Sequence, residues 1–540
     1  MKRLAGLVVT LTLMLGVPVA VVAQDGVASV SAAIAPKLRF TPSQMALAQM
    51  VAGDADLAAF YGGNGLQPIF LGAGGAARRE ALRNVIAEAP RHGIPSERYR
   101  PDRLPQVAES LQDEIAYGRQ AARLLRDLSG GILTPASADP EIKRAPQRPS
   151  IPALLDRFQI AADPASILRQ AAPRHPAYLA LQEALSGPAE LAVPADLPKA
   201  PEAVWRSGMR GDGVVPLRDR LAAIGFRTVS DDPTLYDTAL SDAVAEYQRA
   251  AGLPDDGVAG PRTIGMLNGD AASGQDDRQR AILIALERMR WMAGTDLGTR
   301  HVWVNIPEFS TIIVDQGAEV FRTRSVMGRN ISDMRTPEFS EMMSHLVVNP
   351  SWNVPRSITV RDYLPKLQDN RNAVAHLDVV DGSGRVLSRD AVDFSRYTAA
   401  NFPYRLRQKP SGDNALGVVK FIFPNRWNIY LHDTPSKHLF GNRVRAESNG
   451  CIRIGDPVDL AQALLSRQTD DPAAMFRRAL DSGRETWLKL QPPVPVHLVY
   501  FTAWPDASGR VRFFADVYGR DARVWQALQD AGVDLPRQGL

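Results

Sequence analysis

The only cysteine among the 540 residues, Cys451, follows two of the eight histidines, His432 and His438, within one short stretch. A free thiol has a pKa of about 8.5 and is mostly protonated near neutral pH, so it needs a base or a positive neighbour to become a nucleophile. Imidazole is the side chain that most often supplies such a base. The stretch therefore indicates a cysteine nucleophile with a histidine base.

His432 is the better candidate for the base. It ends the apolar run at residues 428–431, which is predicted to be a strand, where the direction of a side chain is fixed. His438 falls in the loop that follows. The 19 positions between His432 and Cys451 allow that loop to fold back and bring the two side chains together. A backbone carbonyl near Asp433 can orient the imidazole, so no acidic third residue is required.

The sequence Ser-Asn-Gly-Cys at 448–451 predicts a tight turn that exposes successive backbone N–H groups. The N–H groups of Gly450 and Cys451 are candidates for stabilising the oxyanion of a tetrahedral intermediate. Arg453 and Lys437 are candidates for holding a substrate carboxylate. An ordinary surface or structural ion pair is the alternative role for Arg453.

Two other interpretations of this stretch remain open. His432, His438 and Cys451 are all potential zinc ligands, although the stretch has no paired spacing such as Cys-x-x-Cys or His-x-x-x-His. The stretch could also be a plain loop of a β domain, with a thiol that is buried and inert or that forms an intermolecular disulfide. We expect neither a metal nor a cofactor.

The composition constrains the class of protein only loosely. A net charge of +4, from 63 basic and 59 acidic side chains, is too balanced for a dedicated nucleic-acid-binding protein. The length, together with a hydrophobic content of 45%, allows about three or four domains with substantial cores.

The first residues predict export. Lys2 and Arg3 precede an apolar run, and Val21 and Ala23 stand where a signal peptidase requires small residues. We predict a signal peptide at residues 1–23 and a soluble mature protein outside the cytoplasm. A retained membrane anchor is the alternative, since the run is nearly long enough to span a bilayer.

The rest of the chain divides by its periodicity. Residues 36–205 have helical apolar spacing and no catalytic cluster, which predicts a helical scaffold domain. Residues 206–270 predict a compact unit of three short helices that end at glycines. From 277 to 522 a basic amphipathic helix gives way to alternation with period two, which predicts a mainly-β domain built as a meander.

Three features of this last region complete the predicted architecture. Residues 361–415 interrupt the strands, which is typical of a lid or capping subdomain. The strands at 495–502 and 510–518 are predicted to form a hairpin that covers the sheet. Residues 523–540 are predicted to be a C-terminal tail. The predicted fold class is therefore multidomain α+β.

Residues 206–270 resemble the peptidoglycan-binding-like domain found beside many cell-wall enzymes. The matching positions are Leu221, Gly225, Val244, Gln248, Gly252, Leu253, Asp256, Gly257, Gly260 and Thr263. A helical spacer without affinity for sugar is the alternative.

The stretch around Cys451 resembles the active site of the L,D-transpeptidases, in which a histidine and a loop precede Ser-x-Gly-Cys-x-Arg. His432, Ser448, Gly450, Cys451 and Arg453 fall on this pattern. The large Gram-negative members are matched further by Leu-Glu-Arg-x-Arg-Trp at 286–291, Arg-Thr-Pro at 335–337 and Asn-Pro-x-Trp-x-Val-Pro at 349–355. Those members carry a helical scaffold domain, a peptidoglycan-binding-like domain and a capping subdomain inserted in the catalytic domain. This layout matches residues 40–520.

One position departs from the pattern. Many smaller members of the family have His before the Gly-Cys pair, where this chain has Asn449. The base of the family is the upstream histidine, here His432, so the departure leaves the expected catalysis intact and argues only against a second imidazole.

The resemblance implies a two-step acyl transfer in the periplasm. Cys451 attacks the third residue of a tetrapeptide stem, a diaminopimelate, and expels the terminal D-Ala, while His432 moves the protons. An amine of a second stem resolves the thioester and gives a 3→3 cross-link. Sensitivity to carbapenems, which would acylate Cys451, is also implied. The residues expected to bind the substrate are Arg453, Tyr430, Ser448, Asn449 and Trp352, beside the catalytic Cys451, His432 and Gly450.

The expected partners are donor and acceptor peptidoglycan stems, with other cell-wall synthesis enzymes as candidate partners. With water as acceptor the same site would be an L,D-carboxypeptidase, and with a protein amine it would attach a protein to peptidoglycan. A non-catalytic peptidoglycan-binding protein with a vestigial thiol is the alternative of another class.

Overall fold

The computed structural model of the chain describes residues 40–186, 193–194, 196–251, 253, 255–269 and 272–535. The predicted signal peptide at 1–23 lies outside these residues, as do Gly252, the first four residues of the predicted scaffold (36–39) and the end of the predicted tail (536–540). No helix within the described ranges is long and apolar enough to cross a membrane.

The N-terminal region is helical. A buried carboxylate organises it: Glu114 accepts hydrogen bonds from the Tyr61 hydroxyl at 2.5 Å and from the N–H groups of Ile69 and Phe70, both at 2.7 Å. These bonds join the long fourth helix to the second helix and to the turn that follows it. The helices are α1 (Pro42–Val51), α2 (Ala55–Gly63), α3 (Ala76–Glu88), α4 (Leu111–Gly130), α5 (Pro135–Ala138), α6 (Ile151–Ile160), α7 (Pro164–Gln170) and α8 (Pro176–Ser186).

A module of three helices follows, and we call it the three-helix module. Its helices are α9 (Val214–Ala223), α10 (Thr238–Ala250) and α11 (Pro261–Leu267). Gln248 holds the loop between α10 and α11, because its side chain accepts the Gly257 N–H and donates to the Val258 carbonyl. The apolar faces of the three helices form a small core of their own.

The helix α12 (Ala272–Met292) follows the three-helix module and leads into the β region. Its apolar side packs into the core of the N-terminal helices. Its buried Arg288 forms ion pairs with Glu338 at 2.7 Å and with Asp521 at 3.1 Å. Because a buried charge without a partner is strongly destabilising, these pairs fix how α12 sits against the β region.

The remainder is a β domain with a few helices. The strands are β1 (Arg300–Asn305), β2 (Ser310–Asp315), β3 (Ala318–Gly328), β4 (Phe339–Val348), β5 (Trp352–Asn353), β6 (Leu377–Val380), β7 (Val386–Leu387), β8 (Arg405–Gln408), β9 (Val419–Ile422), β10 (Leu431–His432), β11 (Ala446–Ser448), β12 (Ile452–Ile454), β13 (Thr486–Val499), β14 (Ala503–Pro505) and β15 (Val511–Phe513). The helices of this part are α13 (Arg356–Ile358), α14 (Leu364–Asp369), α15 (Pro457–Leu465), α16 (Pro472–Asp481) and α17 (Arg520–Asp530).

Nine of these strands form one sheet in the order β11-β3-β12-β10-β9-β4-β13-β1-β2. Because β2 also pairs with β3, the sheet closes on itself around an apolar core. The first three strands are an antiparallel meander, whereas β1–β13, β10–β12 and β3–β11 are parallel pairs.

The segment between β4 and β9 forms a subdomain with its own core, which we call the inserted subdomain. Its four short strands are ordered β5-β8-β6-β7, and α13 and α14 lie beside them. Tyr430, which immediately precedes β10, packs against both this core and that of the closed sheet.

Two expectations about the C-terminal part need correction. Residues 495–499 are not half of a covering hairpin: they end β13, which lies inside the closed sheet between β4 and β1. Only the short β14 and β15 form the hairpin. The segment assigned to a tail contains most of α17, whose Val524 and Leu528 are buried against Trp291 and the rest of a small core. Which strands become neighbours depends on long-range packing, so the strand pattern alone did not reveal it.

Candidate active site

The pairing of β10 with β12 determines which side chains meet. The two strands run parallel, with Leu431 opposite Ile452 and His432 opposite Arg453. Leu431 and Ile452 are buried in the core, and side chains alternate along a strand, so His432 and Arg453 point to the other face. The Ile452 N–H donates to the carbonyl of residue 430, which places residues 430 and 451 side by side. Four of the predicted site residues therefore share one face of the sheet: Tyr430, His432, Cys451 and Arg453.

His432 is buried and held in one orientation. Its Nδ1 lies 2.5 Å from the backbone carbonyl oxygen of Asp433, so Nδ1–H donates and Nε2 remains as the acceptor. Burial, followed by the positive charge of Arg453, lowers the pKa of His432 to about 3. The imidazole is therefore neutral near pH 7, the protonation state required of a general base.

Cys451 is partly exposed, and its sulfur lies 3.6 Å from the Asn428 carbonyl oxygen. Burial of the sulfur raises the pKa of the thiol. Interactions with Tyr430 and the charges of Lys420 and Arg453 act in the opposite direction without overcoming burial. The thiol is therefore protonated at rest, and a base must take its proton when it reacts.

Tyr430 connects the thiol to the inserted subdomain. Its hydroxyl interacts with the Cys451 sulfur and with the side chain of Trp352 in β5. Its ring lies 5.6 Å from the His432 ring, and the Lys420 Nζ lies 3.8 Å from the ring centroid. Burial raises the pKa of Tyr430 well above its ordinary value, so the hydroxyl stays protonated and can donate a hydrogen bond.

The side chain of Ser448 holds the turn that precedes Cys451 in one conformation. The Ser448 hydroxyl accepts the Gly450 N–H at 3.1 Å and donates to the Cys451 carbonyl at 2.5 Å. Gly450 has a φ of +111°, which L side chains rarely adopt. Two predictions are corrected here. The Gly450 N–H is occupied within the turn and is not available to an oxyanion, and Ser448 shapes the turn instead of facing a substrate.

The Cys451 N–H is the remaining candidate amide. Among the hydrogen bonds of the described residues, none uses this N–H as a donor. Together with the Tyr430 hydroxyl, it can supply the donors that an oxyanion needs.

Thr336, which lies shortly before β4, supports the same turn. The sequence did not reveal this role. Its hydroxyl accepts the Gly328 N–H at 2.9 Å and donates to the Gly450 carbonyl at 2.8 Å. The Tyr518 hydroxyl adds a bond of 2.5 Å to the Gly328 carbonyl. In the sequence, Thr336 was marked only by the Arg-Thr-Pro motif at 335–337, which belongs to the family pattern but had no function assigned to it.

A pair of arginines lies beside the thiol. Arg329 donates to the Asn449 side chain, and within the described part of the chain the buried Nε atoms of Arg329 and Arg453 have no hydrogen-bond partner. Burial, followed by the charge of Arg329, lowers the pKa of Arg453. In the inserted subdomain, a hydrogen bond from Arg361 is the main cause that lowers the pKa of Asp362, and the charge of Arg329 lowers it further. This corner of the site is suited to a carboxylate.

Two residues considered from the sequence are placed elsewhere. Lys437 forms an ion pair with Asp433 at 2.6 Å, so its charge is already balanced. His438 is exposed on the 3-10 helix Lys437–Gly441 that follows β10. The parts of the chain that the structure describes contain no group of three or more His, Cys, Asp or Glu side chains arranged to hold a metal ion.

Lys420 is a further residue that was missed. It is paired with His432 across β9 and β10, on the face that carries the thiol. Burial lowers the pKa of Lys420, and the neighbouring Cys451 acts in the opposite direction. The signal for it was a single charge within the apolar run at 418–423.

Comparison with known families assigns the domains. Residues 299–480 match the model described as "L,D-transpeptidase catalytic domain". The chain carries the catalytic domain of the L,D-transpeptidase family. Residues 55–185 match "Scaffold domain" and residues 210–267 match "Putative peptidoglycan binding domain". The resemblance and the multidomain α+β fold class predicted from the sequence are thereby confirmed.

A curated relative described as "Putative L,D-transpeptidase", from Haemophilus influenzae, is 34% identical over 241 residues, which are 44% of this chain and 48% of the relative. The chain thus spans about half the length of that relative. Two solved L,D-transpeptidase structures each cover 56% of this chain. The one from Xylanimonas cellulosilytica (residues 123–326) is 16% identical, with 98% of its chain covered and a TM-score of 0.17. The one from Stackebrandtia nassauensis is 13% identical, with 96% covered and a TM-score of 0.19.

Proposed function

We propose that this protein is a cysteine L,D-transpeptidase that forms 3→3 cross-links between peptidoglycan stem peptides. The observation that carries the proposal is the shared face of β10 and β12, where a neutral, oriented His432 lies diagonally across from the thiol of Cys451. Neighbouring strands are roughly 4.8 Å apart and two residues advance roughly 6.6 Å along a strand, so both side chains reach a substrate bound over this face.

In the first step, His432 Nε2 takes the proton of Cys451 as the sulfur attacks the carbonyl carbon of diaminopimelate, the third residue of a donor tetrapeptide. The Cys451 N–H and the Tyr430 hydroxyl donate to the developing oxyanion. Collapse of this intermediate breaks the amide bond. The imidazolium gives its proton to the departing amine, D-Ala leaves, and a thioester remains on Cys451.

In the second step, an acceptor amine from another stem attacks the thioester carbonyl. His432 takes the proton of that amine and returns it to the departing thiolate. A new amide bond replaces the thioester, and the free thiol and the neutral imidazole are restored. Arg329 and Arg453 are suited to holding a carboxylate of the donor stem during both steps.

The substrate class follows from the domains. The match of residues 210–267 to a peptidoglycan binding domain supports peptidoglycan as the substrate. Peptidoglycan lies outside the cytoplasm, and we therefore propose that the protein works in the periplasm after export by the predicted signal peptide. Carbapenems, which acylate nucleophiles, are proposed to inhibit it by trapping Cys451.

The test is incubation of the purified full chain with disaccharide tetrapeptide, followed by mass spectrometry of the muropeptides. Dimers with a 3→3 linkage are expected from the wild-type protein and none from Cys451→Ala. Tripeptide monomers without dimers would mean that water is the acceptor and would replace the transpeptidase with an L,D-carboxypeptidase. No product at all from folded protein would favour a non-catalytic binding protein.

A further inference from the structure

A wide groove separates the three-helix module from the catalytic domain. It has a volume of about 1270 Å³ and lies between α10, α11 and α12 on one side and residues 307–310, 322–324 and 443–445 on the other, with β15, residues 514–517 and α17 also lining it. Of the residues that the structure describes, nine arginines but only six acidic side chains line it. An excess of positive charge within a recess favours an anionic ligand.

Two of the arginines stand apart from the others. Six of the nine form ion pairs, for example Arg249 with Asp255 at 3.1 Å, and a seventh, Arg278, lies over the ring of Phe513. Within the described residues, Arg324 and Arg445 form none. Their guanidinium groups donate instead to backbone carbonyls, those of Phe440, Ser325, Asn442 and Phe309.

The two guanidinium groups also repel each other. Burial is the main cause that lowers the pKa of Arg445, and the positive charge of Arg324 lowers it further. Glu308 acts in the opposite direction, but it is already paired with Arg322 and Arg512. An oxyanion bound by both groups would relieve this repulsion and form charge-assisted hydrogen bonds.

The groove lies within reach of the thiol. Arg324 is four residues before Gly328 in β3, a distance of roughly 13 Å along a strand, and Gly328 packs directly against Gly450. An extended tetrapeptide spans roughly 14 Å. One polymer strand can therefore occupy the groove while one of its stems reaches Cys451.

We propose that Arg324 and Arg445 bind a carboxylate of a peptidoglycan strand, on a stem next to the one that reacts. This inference rests on the proposed function. The opposite wall of the groove belongs to the module that matches a peptidoglycan binding domain, and an ion pair of 3.3 Å between Asp256 and Arg443 joins the two walls. The groove thus selects polymeric strands over isolated stems.

The experiment measures binding without turnover, in full-length protein that carries Cys451→Ala. The probes are soluble peptidoglycan strands with several tetrapeptide stems and the single disaccharide tetrapeptide, measured by isothermal titration calorimetry. The variants are Arg324→Gln and the double variant with Arg445→Gln. Among the described residues, the Arg324 guanidinium donates to a single carbonyl, that of Phe440, so its single variant does not put the fold at risk. Arg396→Gln, an exposed arginine of the inserted subdomain, is the matched control.

Relative to the Cys451→Ala protein, we expect the strands to bind at least tenfold more weakly to the double variant and more weakly to Arg324→Gln. Binding of the strands to the Arg396→Gln control should be unchanged. Binding of the single disaccharide tetrapeptide should be the same in all variants. Unchanged strand binding in both variants, or an equal loss in Arg396→Gln, would overturn the inference. The inference would also be overturned if inorganic phosphate displaced the strands as effectively as free tetrapeptide does, because the groove would then be a general anion site. If the strands bind through Arg324 but the protein with Cys451 intact forms no 3→3 dimers, the proposed function would be refuted and this inference would stand.

Discussion

The Tyr430 hydroxyl interacts with the sulfur of Cys451 and also with the side chain of Trp352. Tyr430 leads into β10, whereas Trp352 belongs to the inserted subdomain, so one hydroxyl joins the nucleophile to a separate part of the fold. Tyr430 therefore lies beside the nucleophile at the place where the closed sheet and the inserted subdomain meet.

Replacing Tyr430 with Phe removes this hydroxyl and keeps the ring. The oxyanion then loses one donor, and we expect the rate of acylation to fall by about 100-fold, the usual effect of removing one such group. Rapid-quench sampling of the reaction with disaccharide tetrapeptide, followed by intact-protein mass spectrometry, measures this rate. The matched control is Tyr397→Phe, whose hydroxyl contacts Tyr404 within the inserted subdomain. An acylation rate in Tyr430→Phe equal to that of the control would exclude the hydroxyl from catalysis.

Thr336→Val tests the support of the nucleophile turn. The substitution keeps the shape of the side chain but leaves the Gly328 N–H and the Gly450 carbonyl without their partner. We expect kcat to fall about tenfold, as a displacement that raises the barrier by about 1.4 kcal/mol would produce, with little change in KM.

Thr311→Val is the control for Thr336→Val, because Thr311 is buried in β2 and its hydroxyl contacts only Ser325 among the described residues. If both variants lost stability equally and neither changed kcat, Thr336 would have only a structural role.

The pH dependence of alkylation reports the state of the thiol. Burial raises the pKa of Cys451, so the fraction of thiolate grows only in alkaline solution. The rate of reaction with iodoacetamide should rise with pH and reach its midpoint above the value of about 8.5 for a free thiol. No second inflection is expected near pH 6.5, because the pKa of His432 is lowered to about 3. A rate that is already maximal at pH 6 would show a thiolate–imidazolium pair and contradict this account.

Reasoning from the sequence predicted features formed by consecutive residues better than contacts between segments that are far apart in the chain. His432, at the end of an apolar run, and Cys451, after a Gly turn, lie on neighbouring strands that share one face. The Asp433 carbonyl that orients the imidazole was also within reach of local reasoning. Such features follow from strand periodicity and turn chemistry, which are properties of a few consecutive residues.

The features that were missed depend on pairings between distant segments. Lys420 reaches the thiol because β9 lies beside β10, and Thr336 reaches Gly450 from more than a hundred positions away. The Gly450 N–H was predicted to face an oxyanion, but the conformation of the turn directs it to Ser448. Neither strand order nor the direction of a single amide is encoded in a pattern of residue types.

The mass of the intact protein during reaction with disaccharide tetrapeptide tests the proposed mechanism most directly. We expect a transient adduct with the mass of the donor minus D-Ala, located on Cys451 by peptide mapping, formed more slowly by His432→Gln and absent from Cys451→Ala. An adduct on another residue, or 3→3 dimers formed by Cys451→Ala, would contradict it.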